Sequence, residues 1–99
     1  MSKWYILDNN NNPIATPMLE AAKWLEEGSD RRIVKQDQIN DVFVSTVFLG
    51  LDHAWDSNVP VLWETMIFGG EHDQYQERYT SHEDALEGHE KALTLITKE

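Results

Sequence analysis

The fold is decided by residues 42–68, which read VFVSTVFLGLDHAWDSNVPVLWETMIF. Two apolar runs, 42–49 and 61–68, are joined by a polar loop, and successive side chains of each run point to opposite faces of a strand. Both faces of each run are largely apolar, which is typical of strands that are covered on both sides. We therefore predict that the two runs form the centre of a β-sheet.

Three further strands are predicted on either side of this stretch. Residues 3–8, 31–39 and 75–79 are rich in aromatic, β-branched or alternating side chains. Asn40-Asp41 is typical of a tight turn into the strand that follows it. The asparagine tract that precedes Pro13 predicts a turn at which strand pairing stops.

Two helices are predicted at the ends of this strand series. The first begins after the N-cap Thr16, with proline at the first helical position, and ends at Gly28. The second occupies residues 82–97 after the cap Ser81, and His89 is expected to be a core histidine with a hydrogen-bonded ring nitrogen. The apolar stripes are Met18, Ala21, Ala22 and Leu25 in the first helix, and Ala85, Leu86, His89, Leu93 and Ile96 in the second.

The order of these elements, β-α-β-β-β-β-α, predicts one α+β domain over residues 1–99. In this domain an antiparallel meander of four to five strands carries both helices on one face. The other face keeps enough apolar side chains to need a cover, and a second copy of the sheet is the simplest cover. We therefore expect a homodimer.

The composition limits the partners. Eighteen acidic residues against eight basic ones give a net charge of -10, which repels nucleic acid and anionic membranes and attracts basic proteins. No cysteine is present, so disulfides and thiolate metal sites are excluded, in keeping with a reducing cytoplasm. We expect a cytoplasmic protein that binds neither nucleic acid nor membrane directly.

Glu64 is the sharpest candidate for chemistry, because it is a carboxylate between apolar side chains on its own strand face. Such a carboxylate serves as a general base or ligand clamp, or it forms a structural ion pair, for example with Arg31 or Arg32. Asp52 and His53 are adjacent in the sequence, and Asp52 could orient His53 as a catalytic imidazole. A loop-capping role for Asp52 is the simpler interpretation, because adjacent side chains of a strand point to opposite faces.

A second group of side chains could hold an anion. Three arginines would grip it and a tryptophan, either Trp55 or Trp63, would offer a stacking surface. No catalytic residue is assigned, and no cofactor motif is present. A metal site is not predicted either, since His82 and His89 lie about 10 Å apart along one helix and one ion cannot bridge them. The candidate binding residues are Arg31, Arg32, Asp52, His53, Trp55, Trp63, Glu64 and Arg78.

Three stretches resemble short uncharacterised proteins of phages and prophages. They are STVFLGLDH at 45–53, PVLWETMIFGG at 60–70 and RYTSHEDALEGHE at 78–90, and the resemblance covers roughly residues 31–93. It carries over no catalytic residue. It implies a protein that acts by binding a protein of the bacterial host.

Three hypotheses for the function follow. The first is a small, acidic, non-enzymatic accessory protein that binds and inhibits a host bacterial factor, such as a basic nucleic-acid-binding protein, in an anti-defence or anti-CRISPR role. The second is a homo-oligomer that sequesters a nucleotide or another anionic ligand. The third is a small hydrolase that uses Glu64 and His53. The absence of a recognisable catalytic arrangement favours a protein that is not an enzyme.

Overall fold

A computed structural model describes residues 3–27, 29–54 and 59–97. Its strands form two antiparallel sheets, one with the order β1-β2 and one with the order β3-β4-β5-β6, which confirms the predicted α+β class with a meander. The elements are β1 (Trp4–Leu7), β2 (Pro13–Thr16), α1 (Met18–Glu27), a 3-10 turn (Ser29–Arg32), β3 (Ile33–Ile39), β4 (Val42–Phe48), β5 (Trp63–Phe68), β6 (Gln76–Tyr79) and α2 (His82–Thr97).

The core lies on one face of the four-stranded sheet, here called the inner face. The register pairs Phe43 of β4 with Phe68 of β5, and Phe48 with Trp63, so the paired side chains of the two strands lie on the same face of the sheet. The helix α2 packs across β3 to β6 on the inner face. The inner-face side chains of β4 and β5 that are fully buried are Val44, Thr46, Phe48, Trp63, Thr65 and Ile67.

The helix α2 has the bounds that were predicted. The Ser81 hydroxyl oxygen accepts a hydrogen bond from the backbone N–H of Asp84 at 3.0 Å, which is the expected N-cap contact. Ala85 and His89 are fully buried, whereas Leu86 is exposed. The prediction that Leu86 belongs to the packed stripe is therefore wrong, because the buried residues of α2 are Ala85, Gly88, His89 and Ala92.

The helix α1 packs mainly on β1 rather than over the four-stranded sheet. Trp24 joins it to the core, because its ring lies edge-on to the ring of Phe48 with 5.7 Å between the centroids. Ala21 is fully buried, but Met18 and Ala22 are exposed, contrary to the predicted stripe. A two-stranded hairpin offers only a narrow surface, so one edge of the helix suffices to cover it.

The hairpin β1-β2 corrects the prediction that pairing stops at the asparagine tract. Pro13 begins β2 and is paired with Leu7. Proline is tolerated at the first residue of an edge strand, since that position needs no backbone N–H donor. The tip is held by the Asp8 carboxylate, which accepts the N–H groups of Asn10 at 2.8 Å and Asn12 at 2.9 Å.

The strand β1 lies beside the segment that follows β4, and it is not a member of the meander. The Tyr5 N–H donates to the Gly50 carbonyl at 2.8 Å, and the Asp52 N–H donates to the Lys3 carbonyl at 2.8 Å. Gly50 has a φ of 78°, a left-handed conformation that glycine adopts without steric cost. This turn sets the start of the long loop beside the N-terminus of β1.

Candidate functional site

The outer face of the four-stranded sheet, opposite α2, carries apolar side chains that remain partly exposed. The rings of Phe43 and Phe68 stack with 6.2 Å between their centroids, and Phe68 is 41% exposed. Ile33 is 38% exposed on the same face. These side chains form a surface that we call the outer patch, and its members are Ile33, Phe43, Val47, Met66 and Phe68.

Glu64 lies beside the outer patch and is engaged by the neighbouring strand. Arg78 Nε donates to Glu64 Oε2 at 2.9 Å, and Gln76 Nε2 donates to the same oxygen. The register produces this arrangement, because it places Arg78 directly across from Glu64. Of the two interpretations left open by the sequence, the ion pair fits the geometry, but its partner is Arg78 and not Arg31 or Arg32.

We expect Glu64→Gln to lower the free energy of unfolding by about 1 kcal/mol, because a charged acceptor with 12% exposure is lost while its size is kept. Urea denaturation followed by tryptophan fluorescence measures this change. The control is Glu77→Gln, which removes a charge from an exposed side chain of the same strand as Arg78. An equal loss in both variants would contradict a specific role for the pair.

Asp52 and His53 begin the long loop, where they have different roles. Asp52 Oδ1 accepts the backbone N–H groups of Ala54 at 2.8 Å and Val61 at 2.9 Å, so Asp52 caps the loop. His53 faces a cavity of about 400 Å³ that also contacts Arg78. We call it the Arg78 cavity, and its lining among the described residues is Lys3, Asp52, His53, Ala54 and Arg78.

The remaining predicted site residues are placed elsewhere. Arg31 donates to the Asp8 carbonyl at 2.6 Å and lies 5.7 Å from the centroid of the Trp24 ring, so it braces the first hairpin against α1. Arg32 is exposed on the 3-10 turn. Trp63 is fully buried on the inner face and offers no stacking surface. Trp55 lies outside the described residues.

A polar chain crosses the core, and sequence reasoning found only its histidine. His89 Nε2 is 2.8 Å from Asp37 Oδ2, and His89 Nδ1 is 2.7 Å from the hydroxyl of Thr46. The Thr46 hydroxyl also contacts that of Thr65. These four residues form what we call the core polar chain. The prediction of a core histidine with a hydrogen-bonded ring is confirmed, but β3 and β4 supply its partners through tertiary contacts.

The order carboxylate, imidazole, hydroxyl in this chain matches the order of a hydrolase triad. The hydroxyl of Thr46 is fully buried, however, and a substrate could not reach it. If His89 Nε2–H donates to Asp37, then Nδ1 accepts from the Thr46 hydroxyl, and every ring nitrogen is satisfied. The core polar chain therefore has a structural role.

Burial raises the pKa of Tyr79 above its ordinary value, with the nearby Thr65 hydroxyl opposing the rise and the charges of Tyr75 and Glu77 adding to it. The folded state thus disfavours the phenolate, whereas the unfolded chain ionises near pH ~10. We expect full stability below that pH and a loss as the pH rises towards the folded pKa. Tyr79→Phe should flatten this alkaline loss in urea titrations, and an unchanged slope would contradict it.

Comparison with protein-family models, with curated proteins and with solved structures finds no match for the chain. Within residues 3–27, 29–54 and 59–97, no group of three or more histidine or acidic side chains could hold a metal ion. No helix in those ranges is long and apolar enough to span a membrane. The outer patch and the Arg78 cavity are the candidate sites that the described residues form.

Proposed function

We propose that the protein is a non-enzymatic binding protein that docks its outer patch on a basic protein of a bacterial host and thereby inhibits it. The observation that carries the proposal is a stacked aromatic pair, Phe43 and Phe68, left partly exposed on a chain with a net charge of -10. Aromatic side chains surrounded by polar ones are typical of the centres of protein interfaces.

Acidic loops next to the outer patch support a basic partner. The turn before Phe43 carries Asp41, and the loop after Phe68 carries Glu71 and Asp73, all exposed. Carboxylates at the margin of an apolar surface accelerate encounter with a positive surface and disfavour negative ones. Proteins that handle nucleic acid present such positive surfaces, and a host protein of this kind is therefore the partner that we propose.

The geometry gives less support to a hydrolase. Oε2 of Glu64 accepts hydrogen bonds from the side chains of Arg78 and Gln76, so this oxygen is occupied and is a poor base for a substrate. His53 lines the Arg78 cavity, but the adjacent Asp52 is turned towards backbone N–H groups and does not orient the imidazole.

The test is capture of a partner from bacterial lysate at low salt by three purified forms of the protein. The patch variant combines Phe43→Ser with Phe68→Ser, and the control is Leu19→Ser on α1, where the leucine is 74% exposed and is not part of the outer patch. Wild type and control should retain the same partner. The patch variant should lose at least about tenfold in affinity, equal to about 1.4 kcal/mol, when binding is repeated with both purified proteins.

The partner that binds in this test should carry a basic surface, and salt should release it, because screening weakens attraction between opposite charges. Circular dichroism of the patch variant must match that of wild type, which separates lost binding from lost folding. Binding that is unaffected by the two serine substitutions, or that strengthens with salt, would overturn the proposal.

A homodimer through the outer patch is the second candidate, since the apolar surface could equally cover itself. Two chains of net charge -10 repel each other, so salt should strengthen a homodimer and weaken docking on a basic protein. Sedimentation velocity across a range of salt concentrations therefore distinguishes the two occupants. A dimer that forms at high salt and disappears in the patch variant would favour self-association.

A further inference from the structure

The Arg78 cavity has a property that the outer patch does not share: its Asp52 carboxylate is held by backbone N–H groups, whereas its basic side chains keep N–H donors open. Asp52 Oδ1 accepts two backbone N–H groups. Glu64, which holds Arg78 from behind, accepts from both Arg78 Nε and Gln76 Nε2 through one oxygen. Each carboxylate near the cavity thus has protein donors in place.

The basic side chains of the cavity keep their donors open. Among the described residues, the Lys3 ammonium and the His53 imidazole make no hydrogen bond or ion pair. Arg78 uses Nε for Glu64, and its two terminal nitrogens make no contact of this kind with the described residues. Two basic side chains and an imidazole therefore line about 400 Å³ together with the Asp52 carboxylate, whose Oδ1 is already held by backbone N–H groups.

We infer that the Arg78 cavity binds a small oxyanion, a phosphate or carboxylate group, between the Lys3 ammonium and the Arg78 guanidinium. A guanidinium presents its N–H groups in a fixed planar fork that matches two oxygens of such a group. Its ion pair with Glu64 orients the fork in advance, which lowers the entropy lost on binding. His53 also lines the cavity, and its ring N–H would supply a third donor.

The described lining recognises the oxyanion of a ligand through the donors of Lys3, His53 and Arg78. The lining that the structure describes contains no exposed tryptophan, tyrosine or phenylalanine on which a base could stack. Of the three arginines that were predicted to hold an anion, Arg78 lines this cavity and Arg31 and Arg32 do not. Lys3 is the second basic side chain of the lining. This site is independent of the proposed docking surface, since the outer patch contributes no residue to its lining.

The inference is tested by titrating the labelled wild-type protein with inorganic phosphate, acetate and adenosine monophosphate at constant ionic strength. Backbone amide shifts in the nuclear magnetic resonance spectrum report the site. Saturable shifts are expected at Lys3, Asp52 to Ala54 and Arg78, with phosphate or acetate sufficing. Adenosine monophosphate carries the same oxyanion as phosphate, so it should produce saturable shifts at the same residues.

Two variants and one control separate a specific site from general charge attraction. Lys3→Gln should weaken binding about tenfold, and Arg78→Lys, which keeps the charge beside Glu64 but removes the fork, should weaken it similarly. Lys23→Gln on α1 loses the same charge as Lys3→Gln outside the cavity and should bind like wild type. The amide spectrum of each variant verifies that it is folded.

Three results would overturn the inference. They are the absence of saturable shifts for phosphate and acetate in the wild type, equal weakening by Lys23→Gln and Lys3→Gln, and wild-type affinity in both cavity variants. The patch variant, Phe43→Ser with Phe68→Ser, should keep its phosphate affinity. Failure of the docking proposal and failure of the oxyanion site are thus observed separately.

Discussion

Replacing His89 by alanine is expected to lower the free energy of unfolding by about 3–5 kcal/mol. The substitution leaves a cavity where a fully buried ring was, and it also removes one of the two hydrogen-bond partners of the buried Thr46 hydroxyl, which keeps only Thr65. For a domain of this size the loss is a large share of a total stability of about 5–15 kcal/mol. Urea denaturation followed by circular dichroism measures it.

The matched control for this prediction is His82→Ala, which changes the same residue type at the partly exposed start of the same helix. Its effect should stay within about 1 kcal/mol of wild type. The variant Thr46→Val keeps the shape and removes only the hydroxyl, so it should cost about 1–3 kcal/mol. If His89→Ala costs no more than His82→Ala, the core polar chain contributes little to stability.

The second large effect is expected at Gly88, in the middle of α2. Alanine normally stabilises a helix relative to glycine by about 0.8–1 kcal/mol. At this position, however, an added Cβ would overlap the phenol ring of Tyr79, which packs against the core cluster of Phe48 and Trp63. We therefore expect Gly88→Ala to destabilise the protein by about 1–3 kcal/mol through overpacking.

A double-mutant cycle checks this explanation directly. In a Tyr79→Ser background the ring is absent, so Gly88→Ala should become neutral or stabilising, and the sign of its effect should reverse. Thermal unfolding of the four proteins of the cycle provides the measurement. A Gly88→Ala variant that is more stable than wild type in the presence of Tyr79 would show that the ring moves aside at little cost.

Most of the helices and strands could be predicted from the sequence, because helix caps and tight turns depend on residues that are close together in the chain. The cap at Ser81 and the tight turn at Asn40, whose φ is 54°, depend on neighbouring backbone groups. The pairing of β1 could not be predicted in the same way. Whether Trp4–Leu7 joins the meander or a separate hairpin depends on the path of Pro13–Thr16, and proline at a strand start is compatible with both.

The candidate site was predictable in its parts but not in its partners. Glu64 was recognised from its apolar neighbours, and the capping role of Asp52 is confirmed by its two backbone hydrogen bonds. That Arg78 would pair with Glu64 depends on the register of β5 and β6, which is set over the whole sheet. Lys3 reaches the cavity only because β1 lies beside the loop after β4.

The contact of Asp37 with His89 also affects how copies of the chain avoid aggregation. β3 is an edge strand of the sheet, and an uncovered edge strand is a template for pairing with another molecule. Lys35 and Asp37 point inwards at this edge, and the ladder to β4 is interrupted between Ile33 and Lys35. An incoming strand would have to bury both charges and follow an irregular edge. The carboxylate that satisfies a buried imidazole thereby also keeps the sheet from growing edge to edge.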